Sequence, residues 1–109
     1  MQLKGKTALV TGSTRGLGKA IALKLAQMGA NIVLNGSSDA IFKTAEEFKS
    51  AGYNIIVSKS DVRNEEEVKQ MVSSAVEAFG SIDILVNNAG ITKDKPLAMM
   101  SVQDWDDVL

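Results

Sequence analysis

Short apolar runs alternate along the chain with longer segments in which apolar residues recur every three or four positions. The apolar runs lie at Thr7–Val10, Ile32–Leu34, Asn54–Ser58 and Ile82–Val86. Runs rich in Val, Ile and Leu are typical of parallel strands that are buried on both faces. The pattern therefore predicts four strands of a sheet whose two faces are covered.

The segment after the first run has helical spacing. It predicts a helix from Gly16 to Met28, with Gly29 in the position of a C-terminal cap. The inner face of this helix is predicted to consist of its apolar residues Leu17, Ala20, Ile21, Leu25 and Met28.

Two further helices are predicted from the same spacing. One is capped by Ser38 or Asp39 and ends at Gly52, and the other follows Asn64 and ends at Gly80. Asn64 stands three residues before a glutamate, which is the spacing of a capping box. The predicted inner faces are Ile41, Ala45 and Phe48 in the first of these helices, and Val68, Met71, Val72, Ala75, Val76 and Phe79 in the second.

The order of elements is thus βαβαβαβ, followed by a helix that begins at Ser101. Right-handed crossovers between parallel strands predict an α/β fold, a partial Rossmann fold with the strand order 3-2-1-4 and helices on both faces. We expect residues 1–109 to form the N-terminal, cofactor-binding part of one such domain, truncated inside the last helix. The fourth strand would then lie at an unpaired sheet edge, which predicts self-association.

Composition excludes several kinds of chemistry. The 109 residues include no Cys and no His, which excludes disulfides, thiolate nucleophiles, Ser-His-Asp triads and Cys/His zinc sites. A net charge of -1 gives no electrostatic surface for nucleic acid. Since no apolar run is long enough for a membrane span or a signal peptide, we expect no membrane association and a cytoplasmic location.

A glycine-rich segment joins the first strand to the first helix. The N-terminus of a helix offers unpaired amides and a partial positive charge, and both favour a bound phosphate group. Glycines at this place allow a tight turn and a close approach of the ligand to the backbone. The same glycines could serve a turn without a ligand, but their place in a βαβ unit favours a dinucleotide site. The segment reads Thr11-Gly12-Ser13-Thr14-Arg15-Gly16-Leu17-Gly18.

The end of the second strand bears on which dinucleotide is bound. Domains that bind NAD carry a carboxylate near this place for the adenosine ribose. Here the strand ends in Asn35-Gly36-Ser37-Ser38, without a carboxylate. Arg15 lies in the glycine-rich turn, and a guanidinium suits the 2′-phosphate of NADP. Asp39 lies one residue beyond the expected window and is predicted to cap the second helix, so we expect NADP rather than NAD.

Three motifs in this order resemble the short-chain dehydrogenase/reductase family. They are the Thr11–Gly18 turn, Asp61-Val62 after the third strand, and Asn87-Asn88-Ala89-Gly90 after the fourth. Within the family, Met1–Arg15, and Asn88–Asp94 with Leu97, Met99 and Met100, are similar to the 3-oxoacyl-[acyl-carrier-protein] reductases of fatty acid biosynthesis. Sugar alcohol and polyol dehydrogenases of the family share most of these motifs and are the alternative.

The resemblance implies a role for each matched residue. Ser37 would lie near the 2′-phosphate, Asp61 would accept a hydrogen bond from the adenine amine, and Val62 would pack on the adenine ring. The pyrophosphate and the adenosine phosphate would be held by Gly12, Ser13, Thr14, Arg15, Gly16 and Gly18. The ribose and nicotinamide side would be lined by Asn88, Ala89 and Gly90.

Some of these residues have a simpler structural interpretation. Asp61 could instead cap the turn before the helix that follows Asn64. We assign Asn87 to satisfying backbone groups in its loop, and Met99 and Met100 to hydrophobic cover.

The resemblance further implies a parent enzyme, a homotetramer that transfers hydride from NADPH to the ketone of a 3-oxoacyl thioester on acyl carrier protein. Its catalytic Asn, Ser, Tyr and Lys have no match here: Tyr53 is the only tyrosine, and no Tyr-x-x-x-Lys occurs. We therefore expect these 109 residues alone to be inactive, as a dinucleotide-binding or folding half-domain. Whether the chain is a fragment, a truncated gene product or an excised half-domain stays open, as does the exact substrate.

Overall fold

The structure, a computed structural model, describes residues 2–88 and 99–100. Within those residues it contains three helices and five strands, close to the positions that the hydrophobic pattern predicts. The predicted helix at Ser101 lies outside the described residues. The elements are β1 (Thr7–Thr11), α1 (Gly16–Gln27), β2 (Asn31–Gly36), α2 (Ala40–Ser50), β3 (Ile55–Lys59), α3 (Glu65–Phe79), β4 (Ile84–Asn87) and β5 (Met99–Met100).

The sheet confirms the predicted parallel order. Its strands lie side by side as β3-β2-β1-β4, and each of these neighbouring pairs is parallel. Leu9 at the centre of β1 pairs with Val33 on one side and with Leu85 on the other. The carboxyl ends of the four parallel strands therefore meet at one edge of the sheet, where open α/β sheets bind their ligands.

A fifth strand, which the hydrophobic pattern did not predict, lies beside β4. Met99 pairs with Val86 and Met100 pairs with Leu85, both in the antiparallel direction. An antiparallel neighbour needs no crossover helix, because the chain has only to reverse its direction. The expectation of an unpaired β4 edge is therefore wrong at Leu85 and Val86.

The two faces of the sheet are covered by different helices, since successive side chains of a strand point to opposite sides. Val10 and Leu34 belong to the buried cluster that includes side chains of α1 and α2. Leu9 and Val33 belong to the cluster on the α3 side. The predicted inner face of α2 is confirmed, with Ile41, Ala45 and Phe48 all buried.

The inner face of α1 differs from the predicted one. The buried residues of this helix are Gly18, Ala22 and Ala26, whereas Leu17 is 68% exposed. Of the other predicted residues, Leu25 packs against the core cluster while partly buried, Ile21 and Met28 are partly buried, and Ala20 is exposed. A similar correction applies to α3, where Val76 of the predicted stripe is exposed although four of its other members are buried.

None of the helices in the described ranges is long and apolar enough to cross a membrane.

Candidate functional site

A groove of about 340 Å³ lies across the carboxyl ends of β1, β2 and β3. One wall is the β1–α1 turn, with Gly12, Thr14 and Arg15. The other walls are the end of β2, Asn35–Ser38, and the segment after β3, Ser60–Arg63. The groove thus brings together several of the predicted site residues: Gly12, Thr14, Arg15, Ser37, Asp61 and Val62.

The β1–α1 turn leaves the start of α1 without a side-chain cap. Gly12 and Gly16 both adopt a φ of +62°, a left-handed conformation that glycine tolerates without strain. Arg15 stands at the N-cap position but makes no capping hydrogen bond, and the first turn of α1 holds no acidic residue. The first amides of an α-helix have no partner within the helix. This helix end is therefore suited to an anionic ligand such as a phosphate group.

Gly18 allows α1 to contact the turn itself. A Cβ atom at this position would overlap the carbonyl oxygen of Gly12 and lie 2.6 Å from Nδ2 of Asn88. Nδ2 of Asn88 in turn donates a hydrogen bond of 3.1 Å to that same carbonyl oxygen. The side chain of Asn88 therefore links the end of β4 to the glycine-rich turn through a hydrogen bond.

The other residues of the fourth-strand motif are placed as follows. Oδ1 of Asn87 accepts a hydrogen bond of 3.2 Å from the hydroxyl of Thr11, so this side chain links β4 to β1. Ala89 and Gly90 lie outside the described residues.

Asn35 organises the floor of the groove, and sequence reasoning did not single it out. Its side chain is 1% exposed, and its Oδ1 accepts from the amide of Gly12 at 3.1 Å. Its Nδ2 donates to the carbonyl oxygens of Ser58 and Ser60, both at 3.2 Å. One amide therefore connects β1, β2 and β3 at their carboxyl ends. A polar residue inside an otherwise apolar strand was the signal that could have found it.

Ser13 also links the end of β1 to β2 and does not form part of the groove wall. Its amide donates to the carbonyl oxygen of Asn35 at 2.8 Å, and its Oγ accepts from the amide of Asn35 at 2.9 Å. The side chain is fully buried. Ser13 does not line the groove, in contrast to its neighbour Thr14.

Thr14 is held between β2 and α2. A Cβ atom on Gly36 would overlap Oγ1 of Thr14 and lie 3.0 Å from Cβ of Ile41, so a larger residue here would displace neighbouring side chains. The carbonyl oxygen of Thr14 accepts a hydrogen bond of 2.7 Å from the hydroxyl of Thr44 in α2. The turn is thereby fixed against two elements, and the exposed residue Ser37 follows directly in the groove wall.

Asp61 and Arg63 form an ion pair in the groove wall. Oδ1 of Asp61 accepts from the amide of Arg63 at 2.9 Å and from its Nε at 3.1 Å, while Oδ2 accepts from Nη2 at 2.9 Å. The hydrogen-bonded Arg63 guanidinium holds the pKa of Asp61 below its ordinary value, and Asp61 raises the pKa of Arg63. The side chain of Asp61 thus accepts a backbone hydrogen bond in the turn before α3, as the structural interpretation expected. It also lines the groove.

The capping box before α3 is only half formed. Oδ1 of Asn64 accepts from the amide of Glu67 at 3.1 Å, as predicted. The carboxylate of Glu67 does not return to Asn64, but accepts from the amide of Asp61 at 2.9 Å. This is a correction with a structural consequence, because the bond fixes the backbone of a groove residue.

Asp39 has a different role from the predicted cap. It makes no side-chain capping hydrogen bond, and its carboxylate, 83% exposed, pairs with Nζ of Lys59 at 2.8 Å. Oγ of Ser38 instead accepts from the amide of Ala40, at 3.4 Å. Asp39 is not among the residues that line the groove, so the end of β2 contributes no carboxylate to it.

The described ranges hold no group of three or more Asp, Glu, His or Cys side chains arranged to bind a metal ion.

Comparison with known sequences identifies the relatives of the chain. A family profile described as short chain dehydrogenase matches residues 6–109. A 3-oxoacyl-[acyl-carrier-protein] reductase FabG of Staphylococcus epidermidis is 48% identical over 106 residues, which cover 95% of this chain and 43% of that protein. A 2-dehydro-3-deoxy-D-gluconate 5-dehydrogenase of Formosa agariphila is 47% identical over 109 residues, covering 98% and 41%. The chain thus spans less than half the length of these curated relatives.

Solved structures show the same fold. A metagenomic short-chain oxidoreductase in complex with NADP matches with a TM-score of 0.76 and 34% identity, over 84% of this chain and 42% of that one. A short chain dehydrogenase/reductase from Burkholderia phymatum in complex with NAD matches with a TM-score of 0.79 and 36% identity, over 84% and 33%. Since the two complexes hold different dinucleotides, the cofactor of this chain has to be argued from its own groove.

Proposed function

The chain belongs to the short chain dehydrogenase family, and from this premise we propose that residues 1–109 are the NADP-binding part of a longer oxidoreductase. The reaction proposed for the whole protein is reduction of the ketone of a 3-oxoacyl thioester carried by acyl carrier protein. A bound NADPH would supply the hydride. The residues of this chain would bind and orient the cofactor.

The observation that carries the proposal is the charge of the groove. Its walls contain two guanidinium groups, Arg15 and Arg63, and one carboxylate, Asp61, which is already paired with Arg63. The adjacent carboxylate, Asp39, is paired with Lys59 outside the groove wall. A ribose 2′-phosphate beside Ser37 would therefore meet positive rather than negative charge, which favours NADP over NAD.

The shape of the site also fits a dinucleotide. The uncapped start of α1 is suited to the pyrophosphate, and Gly12 and Gly16 provide the backbone turn around it. Asp61 and Val62 stand at the far wall, where an adenine ring could contact both. The roles proposed for Gly18 and Ser13 are indirect, since both hold the turn in place. Asn88, with Ala89 and Gly90, remains our proposal for the nicotinamide side.

The substrate proposal rests on the relatives and not on the groove. The Staphylococcus epidermidis reductase supports a 3-oxoacyl thioester. The Formosa agariphila dehydrogenase, at nearly the same identity, supports the alternative of another alcohol or sugar-acid dehydrogenase. The proposal includes a cytoplasmic location and a homo-oligomeric assembly, which rest on the family resemblance.

Titration with NADPH and NADH tests the cofactor proposal. We expect the chain to bind NADPH about tenfold more tightly, because a hydrogen bond to a charged group contributes about 1.5–3 kcal/mol. Arg15→Ala should abolish most of this preference. Lys24→Ala, which removes an exposed cation from the last turn of the same helix, should keep it. Calorimetry with adenosine 2′,5′-bisphosphate and adenosine 5′-monophosphate isolates the phosphate contribution. Equal or tighter binding of NADH would contradict the assignment.

Incubation with NADPH and an acetoacetyl thioester tests the expected inactivity of the 109-residue chain. Tyr53 precedes β3 and therefore lies at the edge of the sheet opposite the groove, where its ring packs at 6.1 Å from that of Phe48. It cannot donate a proton to a carbonyl in the groove. We expect no thioester-dependent loss of NADPH absorbance at protein concentrations that bind the cofactor. Turnover above the protein-free rate would show that another residue performs the proton transfer.

A further inference from the structure

Hydrogen bonds within the protein occupy most of the acceptor positions of the Asp61 carboxylate. An ionised carboxylate offers about four acceptor positions on its two oxygens. Oδ1 receives two hydrogen bonds, from the amide and from Nε of Arg63, and Oδ2 receives one, from Nη2. One acceptor position, on Oδ2, is left for a ligand.

The direction of that remaining position is set in advance. An arginine that donates to both oxygens covers the edge of the carboxylate that lies between them. The backbone of Asp61 is fixed as well, since its amide donates to Glu67 at 2.9 Å and its carbonyl oxygen accepts from the amide of Asn64 at 2.9 Å. A base that enters the groove therefore meets one oriented acceptor and not a whole carboxylate edge.

We propose that Arg63 is a positioning residue that makes the base subsite accept adenine and reject guanine. Guanine presents two adjacent N–H donors and binds a carboxylate through both oxygens along their shared edge, which Arg63 occupies. The amino group of adenine needs only one acceptor, which Oδ2 provides. This inference deepens the proposed function, because it requires that a nucleotide base faces Asp61.

Titration of the chain with ADP and with GDP provides the test, since the two probes differ only in the base. We expect ADP to bind about tenfold more tightly than GDP, as a site with one acceptor leaves the second donor of guanine unpaired. In Arg63→Ala the carboxylate edge is open, so GDP should gain affinity and the ratio should fall about fivefold or more. Arg63→Lys keeps the positive charge but cannot donate two parallel hydrogen bonds to the carboxylate, so its ratio of ADP to GDP affinity should be intermediate.

Lys69→Ala is the matched control. Lys69 is a half-exposed cation of α3 that pairs with Glu65 at 3.7 Å and does not line the groove. Its loss removes one positive charge, as the loss of Arg63 does. We expect the wild-type ADP-to-GDP ratio in this variant. Since the side chain of Arg63 is 86% exposed, its replacement should leave the fold intact, as circular dichroism would verify.

A second measurement follows the carboxyl group directly. Arg63 donates to the carboxylate of Asp61, Glu67 accepts from its amide, and Arg15 lines the same groove. Since Arg63 lowers the pKa of Asp61, carboxyl carbon NMR of the free chain should show a higher pKa for Asp61 in Arg63→Ala.

The outcomes separate the two claims. Failure of the wild-type chain to bind either nucleotide would overturn the proposed function and this inference with it. Binding of ADP with an unchanged ratio in Arg63→Ala, or equal affinities for ADP and GDP in the wild type, would overturn the inference alone.

Discussion

Gly18→Ala should destabilise the chain by about 3 kcal/mol, the upper end of the usual cost of overpacking. Alanine is ordinarily favoured over glycine within a helix by about 1 kcal/mol, so the sign of the effect is diagnostic. The new methyl group would overlap the carbonyl oxygen of Gly12 and crowd Nδ2 of Asn88. Neither neighbour is the free end of a flexible side chain, because the Asn88 amide is hydrogen-bonded to Gly12. Relief therefore requires α1 to move away from the sheet.

Urea unfolding followed by circular dichroism measures this loss. Gly52→Ala is the control, since Gly52 has a φ of +89° and a Cβ atom there would meet no other atom within 4 Å. That substitution should lower the free energy of unfolding by about 1–2 kcal/mol, the strain of an alanine in the left-handed conformation. If Gly18→Ala were as stable as the wild type, α1 would not pack on the turn as closely as the structure shows. The same displacement would open the start of α1, so NADPH affinity should fall in parallel.

The inner face of α1 shows where periodicity is a misleading guide. Apolar spacing selects the residues that gain most from burial, and it therefore favoured Leu17 over Ala22. The structure buries Ala22 and exposes Leu17, and on the same buried face Gly18 lies at a short distance from the carbonyl oxygen of Gly12. That distance is a property of the packed pair and leaves no trace in the spacing of one helix. In α2 the same reasoning predicted the buried face, with Ile41, Ala45 and Phe48 all buried.

The sheet order could be predicted because it follows from the chirality of crossovers and from the alternation of elements. The pairing of Met99 and Met100 could not, since a strand of two residues has no period to detect. The glycines of the turn could also be predicted, because a left-handed φ or a close backbone approach limits the choice of residue. The hydrogen-bond partners of the groove residues could not. Arg63 acts on a carboxylate two positions away, and Asn35 acts on carbonyl oxygens of another strand.

Asp39 illustrates the same limit for charged residues. Its position favoured a helix cap, and the structure confirms the position but not the bond. Lys59, twenty residues further along, provides a partner that only the pairing of β2 with β3 brings near. The proposed preference for NADP depends on this ion pair between Asp39 and Lys59. Because Asp39 pairs with Lys59, the groove wall at the end of β2 contains no carboxylate.

Asn35→Asp should destabilise the chain by about 3 kcal/mol at pH 7, although the two side chains have nearly the same shape. The new carboxylate could still accept from the amide of Gly12, but it would face the carbonyl oxygens of Ser58 and Ser60 without a donor. A buried carbonyl oxygen and a partly buried one would lose this donor, and a charge would be buried. Each such change costs about 1–3 kcal/mol. Because burial and the facing carbonyls favour the protonated form, the pKa of the new carboxyl would be raised in the folded state.

The pH dependence then distinguishes this mechanism from a simple packing defect. A raised folded pKa means that the folded variant binds more protons than the unfolded chain, so its stability falls as pH rises above the unfolded pKa of about 3.9. The deficit relative to the wild type should be smallest near pH 4 and grow toward neutral pH, in urea titrations at matched ionic strength. Asn54→Asp makes the same change at an exposed residue, whose Nδ2 donates to Asn31 at 2.9 Å, and should cost less than about 0.5 kcal/mol. A pH-independent loss in Asn35→Asp would mean that the carboxyl reaches solvent, and that Asn35 does not hold the strand ends together from within.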